Sequence, residues 1–239
     1  MKIKITFNTN NKIIPFEYKG YLQGAIYKCF DEEMGAFIHD SGVTYEDKSF
    51  KMFTYSELLG KYEVIKGKGL KYYDDATFYV TSIFKEIIDS VYEYYLQDDI
   101  LVLGHNGFNI KSVELIEDYF NEQETYTIRT LSPIITYKTD KKNYRTFFNP
   151  QSEDFETALR NNLERKYISL YEEEPDNEYF EVIKATNIRK QVAKYKTSVF
   201  DSFHCELEIR CSYRYLQLLV LTGAGSKNSA GFGMIEIKD

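Results

Sequence analysis

Apolar and polar residues alternate strictly over residues 3–7, IKITF, the two-residue period of a strand with one buried face. The period then changes. Leu22, Ala25, Ile26, Cys29 and Phe30 recur at i, i+3, i+4, i+7 and i+8, which predicts an amphipathic helix. A second short helix places Met34, Phe37 and Ile38 on one side. Residues 50–58 and 68–80 read as short strands joined by the turn-rich GKYEVIKGKG. Residues 82–97 form a helix with Ser82 as its cap and Ile83, Phe84, Ile87, Ile88 and Val91 facing inward, and a strand at about 107–116 follows.

The same succession then repeats. YTIRTLSPIITYK is strand-like, and a helix from Ser152 to Tyr171 carries Phe155, Leu159, Leu163 and Tyr167 on one face. YFEVIKATNIRK and the alternating FHCELEIRC predict a hairpin, and the apolar YLQLLVLT and MIEIK two closing strands. Two cycles of strands with interposed helices predict an α+β chain of two tandem ferredoxin-like domains, each βαββαβ, with helices on one face of an antiparallel sheet. The polar YFNEQETY places the boundary between 1–122 and 123–239.

The composition is that of a globular protein: 239 residues, 43% hydrophobic, four prolines and no apolar run of membrane-spanning length. With no signal-peptide core at its start, the chain reads as cytoplasmic, with no membrane partner. Cys29, Cys205 and Cys211 have no paired spacing and read as reduced core residues. The net charge of −7 argues mildly against a polyanion partner, but the charge is uneven. From Asn187 onward eight basic residues face five acidic ones, giving +3 there and −10 over the rest. A basic C-terminal quarter suits a local polyanion site.

The glycines of TGAGSKNSAGFGMIEIKD, at 223, 225, 231 and 233, match neither common nucleotide loop. The dinucleotide fingerprint needs a third glycine where Asn228 stands, with a helix behind it; a P-loop needs Gly-Lys-Ser/Thr. There remains a tight connection between strands, or a phosphate-contacting loop with Lys227, Asn228 and Ser229 as donors beside open backbone N–H groups.

This loop, with Phe232 between glycines, resembles the signature of the CRISPR-associated endoribonuclease family that processes precursor CRISPR RNA, the sixth Cas family. YLQGAIYKCF at 21–30 resembles the family's first helix, FIHD at 37–40 its active-site histidine segment, FKMFTYS the strand after it, and LSPI at 131–134 the opening of its second domain. The resemblance implies metal-independent cleavage of repeat RNA: the 2′-hydroxyl attacks the scissile phosphorus and the 5′-oxygen leaves. The products are 2′,3′-cyclic phosphate (or 3′-phosphate) and 5′-hydroxyl ends. The matching catalytic positions are Tyr27, His39 and Lys51. Lys48 is an alternative for the cationic role, and Tyr27 either accepts a proton or orients the 2′-hydroxyl.

Two of these placements have independent support. Tyr27 lies about 130° and His39 about 145° from the centre of its helix's apolar stripe, so both point away from the core. An imidazole titrating near about 6.5 suits general acid–base work, whereas a phenol near about 10 is a poor base. His105, in the turn-like GHNG, and His204, on the polar phase of a strand, receive no catalytic role. The acid pairs Asp74–Asp75, Asp98–Asp99 and Glu172–Glu174 read as solvated faces, and no Cys/His cluster has zinc spacing, so neither metal nor cofactor is expected.

For RNA binding, Arg189, Lys190, Lys194, Lys196 and Lys227 are the basic candidates, together with Asn228, Ser229, Gly223, Gly225, Gly231 and Gly233 of the loop. The partners implied are repeat RNA in precursor crRNA, then subunits of a CRISPR interference complex, and a second copy as a homodimer. A non-cleaving RNA-binding subunit on the same double fold is the alternative, and a protein adaptor a more distant one.

Overall fold

The computed structural model describes residues 1–38, 42–118, 120–195 and 198–238. His39 and Lys196 lie outside these residues. The first half builds a five-stranded antiparallel sheet in the order β5-β8-β1-β10-β9. Its members are β1 (Lys2–Asn8), β5 (Phe53–Tyr55), β8 (Asp75–Ser82), β9 (Ile100–Leu103) and β10 (Asn106–Ile116). Helices α1 (Tyr18–Tyr27) and α3 (Lys85–Gln97) occupy the two crossover positions. With β9 set aside as an added edge, the sheet has the strand order of a ferredoxin-like βαββαβ unit. Ile3, Ile5 and Phe7 alternate into its core against Leu22, Ile26, Ile87, Ile88 and Val91, as the periodicities require.

The second half repeats the plan in a four-stranded sheet, β14-β15-β11-β16. These strands are β11 (Thr125–Thr130), β14 (Phe180–Tyr195), β15 (Ser198–Cys211) and β16 (Ile235–Ile237). Its helices are α4 (Glu153–Tyr171) and α5 (Tyr213–Thr222). The chain thus has a double ferredoxin-like, α+β fold. At the start of α4 the Ser152 hydroxyl accepts a hydrogen bond from the Phe155 N–H, and Glu153, Asp154 and Glu156 fill the first turn, where the helix dipole favours acids. All three cysteines are free and buried.

Three local expectations change. YLQLLVLT is helix α5 rather than a strand. Leu216, Leu218, Leu219 and Val220 are all buried, because α5 meets α4 and β16 on one side and β5 and β8 of the first sheet on the other. With only Gln217 half-buried among residues 215–222, too little polar face remains to betray the helical period. The turn-rich 60–69 segment contains strand β6 (Tyr62–Ile65), which pairs with β7 (Gly69–Tyr72). Helix α3 begins at Lys85; the Ser82 hydroxyl still accepts from the Phe84 N–H, but it also donates to the Met52 carbonyl, and Ile83 and Phe84 are only half-buried.

Candidate nucleic-acid cleft

The glycine-rich segment closes the seam between the two sheets. A short 3-10 turn, Asn228–Ala230, rests on β5 and α1 of the first domain. Around it the Lys19 ammonium donates to the Gly231 carbonyl at 3.2 Å, Gln23 to the Ser229 carbonyl at 2.6 Å, and the Thr54 hydroxyl to the Phe232 carbonyl at 3.0 Å. Gly231 has φ +81, and a Cβ there would lie 2.4 Å from a Tyr55 ring carbon. Only glycine lets this backbone lie on that ring.

The loop's glycines therefore face inward. Gly223, Gly225, Gly231 and Gly233 are all buried. The N–H groups of Gly223, Gly231 and Gly233 are spent on Leu219, Asn228 and Pro133 carbonyls. Asn228 is likewise consumed: its side-chain oxygen accepts from Lys166, and its amide donates to the Ala224 and Phe232 carbonyls. Gly223, Gly231, Gly233 and Asn228 hold the loop's shape rather than offer open donors to a phosphate, a correction to the sequence expectation, whereas Gly225 lines the cleft. The loop's outer face is carried by Ser226, Lys227 and Ser229, with Lys227 exposed at φ +66.

This outer face borders a cleft of about 820 Å³. Residues 47–53, running from strand β4 (Lys48–Phe50) to β5, form one wall. The others are the exposed face of α4 and residues 136–139, which contain strand β12 (Tyr137–Thr139). Among the described residues Lys48, Lys51, Lys138, Arg165, Lys166 and Lys227 line it, against Asp47 and Asp154. The cleft is a cationic patch on a chain of net charge −7. Phe50, Tyr137 and Phe148 add aromatic surface to its walls.

Lys51 belongs to the link between β4 and β5, not to a strand, and its stem packs against Gly42. Lys48 pairs with Asp47 at 2.8 Å. Tyr27 ends α1, half-buried, tilted against the Phe30 ring and edge-on to Phe53. Burial pushes its pKa up, Tyr195 adds to this, and Ser229 only partly opposes it. Tyr27 is a neutral phenol at physiological pH. The structure brings Tyr27 and Ser229 together and puts Lys51 and Lys227 in one cleft.

The hairpin cations are elsewhere. Arg189 pairs in register with His204 and Lys190 with Phe203, so adjacent side chains point to opposite faces of β14. Lys190 is held by Asp201 at 2.6 Å. Arg189, Lys190 and Lys194 are exposed and are not among the residues that line the cleft.

Pattern reading missed the cations of the cleft walls, Lys138, Arg165 and Lys166. Only Lys166 left a trace, as a lysine inside the apolar stripe of α4. It also missed the ionic bridge between domains. Glu57 meets Lys19 at 2.9 Å and His204 at 3.1 Å, and receives a further bond from Gln191. His204 is thus a structural partner. His204 Nδ1 lies 3.1 Å from the Thr130 hydroxyl, which also accepts from the Cys205 N–H, and Nε2 faces Glu57. Burial raises the Glu57 pKa, but the Lys19 ammonium and then His204 outweigh it and hold the carboxyl well below the usual carboxylate range. Burial pulls the Lys19 ammonium down, opposed by Glu57, and the Phe232 ring 4.2 Å away adds a cation–π contact.

Two family models divide the chain between them: the N-terminal model of the CRISPR-associated protein Cas6 matches residues 13–114, and the C-terminal model of the same protein matches residues 114–237. The chain belongs to the Cas6 family. It is 28% identical to the CRISPR-associated endoribonuclease Cas6 1 of Methanocaldococcus jannaschii, covering 98% of this chain and 92% of that relative. It is 27% identical to the Cas6 endoribonuclease of Pyrococcus furiosus, covering 94% and 84%. Among solved structures, a Cas6-related protein of Pyrococcus furiosus superposes with a TM-score of 0.85 at 23% identity, covering 100% and 98% of the two chains. A protein described as a RAMP binding different RNA substrates superposes at 0.83 and 20%, covering both chains fully. These two likenesses show the fold. No helix among the described residues is long and apolar enough to cross a membrane.

Proposed function

We propose that this Cas6 protein is an endoribonuclease that cuts repeat RNA in precursor crRNA without a metal ion. The observation that carries the reading is the cationic cleft at the domain seam, lined by Lys51, Lys227 and Ser229, the last of them tied through Gln23 to the helix that ends in Tyr27. The names of the two relatives above support the nuclease activity, and the double fold of known RNA binders supports the substrate class.

In this reading RNA phosphates lie along Lys138, Arg165 and Lys227, and bases stack on Phe50, Tyr137 or Phe148. The 2′-hydroxyl upstream of the cut attacks phosphorus in line as its proton is removed. The P–O5′ bond breaks, and the 5′-oxygen takes a proton. The products are a 2′,3′-cyclic phosphate and a 5′-hydroxyl. His39 serves the proton transfers, worth roughly 10²–10⁴-fold. Lys51 meets the charge growing on the phosphorane. Tyr27, neutral because burial raises its pKa, orients the 2′-hydroxyl rather than accepting its proton. The division at 122/123, cytoplasmic action, a homodimer and delivery of product to an interference complex belong to the same proposal; the last two rest on the family resemblance alone.

End-group analysis of the cleaved repeat tests the chemistry. A cyclic phosphate end that can be opened by acid, opposite a 5′-hydroxyl that accepts phosphate from a kinase, is expected, with cleavage slowed at least 100-fold in His39→Ala. Tight repeat binding with no cut by the wild-type chain would instead make it an RNA-holding subunit.

A further inference from the structure

Helix α4 carries a lysine that the proposed chemistry leaves unused. Lys166 is only 2% exposed, yet among the described residues no acidic side chain neutralises it. Its ammonium donates to the Thr222 carbonyl at 3.3 Å, the Gly223 carbonyl at 2.6 Å and the Asn228 side-chain oxygen at 2.9 Å. An ammonium has three N–H donors, and here each has an acceptor. Thr222 and Gly223 lie at the C-terminus of α5, where the helix dipole is negative and favours a cation. Burial alone pulls the pKa of this lysine down to about 7, so the charge is held by that set of oxygens and not by a counter-ion.

A buried unpaired ammonium is a costly way to fill space, and methionine would fill it without desolvation. What the lysine gains is control of the loop. Asn228, its third acceptor, turns its own amide to the Ala224 carbonyl at 3.2 Å and the Phe232 carbonyl at 3.0 Å. One lysine and one asparagine therefore tie the end of α5 to both arms of the glycine loop. The loop backbone makes room for that amide: a Cβ on Gly233, at φ +76, would lie 2.8 Å from the Asn228 amide nitrogen. Either side of Asn228 in the sequence stand Lys227, which lines the cleft, and Ser229, whose carbonyl accepts from Gln23, one helical turn before Tyr27 on α1.

We infer that Lys166 and Asn228 are positioning residues of the cleavage site. Lys166 acts through Asn228 to set the 228–230 turn against α1, and so fixes Tyr27 at the end of that helix, where it orients the attacking hydroxyl. The inference rests on the proposed endoribonuclease reading and adds the residues that hold its geometry.

The test is a double-mutant cycle of Lys166→Met and Tyr27→Phe, read as single-turnover cleavage of the repeat RNA at saturating protein, well below the melting temperature of each variant. RNA Kd is measured alongside. Lys166→Met is expected to slow cleavage at least tenfold while moving Kd less than about threefold. In the Tyr27→Phe background the same change is expected to cost less than about threefold. If Tyr27→Phe slows the wild type and Lys166→Met costs the same in both backgrounds, the positioning role is overturned and the endoribonuclease reading stands. Tyr27→Phe cleaving at the wild-type rate overturns the catalytic reading of Tyr27, and the inference with it. If Lys166→Met does not fold, Asn228→Ser cuts the same network, and the cycle run with it decides by the same criteria.

Discussion

At the scale of single residues, Gly231 and Glu57 show how closely the two domains are fitted. Gly231→Ala places a methyl into the Tyr55 ring at a backbone angle that alanine resists. We expect a loss of about 1–3 kcal/mol, read from the denaturant midpoint. Glu57 makes stability pH-dependent. Its pKa is depressed in the folded protein, so its stabilisation is complete above the unfolded carboxylate value of about 4.3 and is lost as pH falls toward the folded value. Unfolding free energy should therefore fall more steeply from about pH 5 to pH 3 in the wild type than in Glu57→Gln. Parallel slopes would remove Glu57 from the bridge. Neither feature was legible in the sequence. The ring under Gly231 is 176 residues away, and a glutamate seven residues after Phe50 looks like any solvated acid. Tyr27 was legible only in part: helical phase put it outside the core stripe, but the structure leaves it half-buried against Phe30 and Phe53 at the core's edge.

Elements with two distinct faces announced themselves. The stripe of α4 at Phe155, Leu159, Leu163 and Tyr167 and the alternation of β1 both recur in the structure as read. Elements without two faces did not. From Tyr215 onward helix α5 is buried except at Gln217 because it fills the space between α4 and the first sheet, and so apolar a run fits a strand as well as a helix. The βαββαβ order contains the correction, since a helix must precede the last strand of each unit. Burial on both sides has a measurable consequence. Leu219→Ala should cost about 2–5 kcal/mol, at the level of a core position. A loss below 1 kcal/mol, measured by the same denaturant titration, would mean that α5 is not packed between the two domains.

Over the whole molecule, charge matters more by place than by sum. A chain of −7 lines one cleft with six basic residues, Lys166 being buried in its wall, and five of the six lie on β4, its following link, β12 and α4, outside the C-terminal quarter with the basic excess. The resemblance read from five short segments identified the family and the double fold. It could not place the cleft walls, which come from segments about 90–180 residues apart in sequence. Each phosphate contact with single-stranded RNA contributes about −0.7 to the slope of log affinity against log salt. Lys138→Ala combined with Arg165→Ala should make that slope shallower by about 1.4. An unchanged slope would take the RNA out of this cleft.

The central claim, metal-free attack by the 2′-hydroxyl at this seam, is tested most directly by one cleavage assay in excess EDTA. Two repeat RNAs are compared, identical but for a single 2′-deoxy nucleotide immediately upstream of the cut. We predict one cut in the all-ribose RNA and none at that position in the deoxy RNA, with binding of the two unchanged. Cleavage of the deoxy RNA at the same phosphate, or cleavage that returns only when a divalent cation is restored, would contradict it.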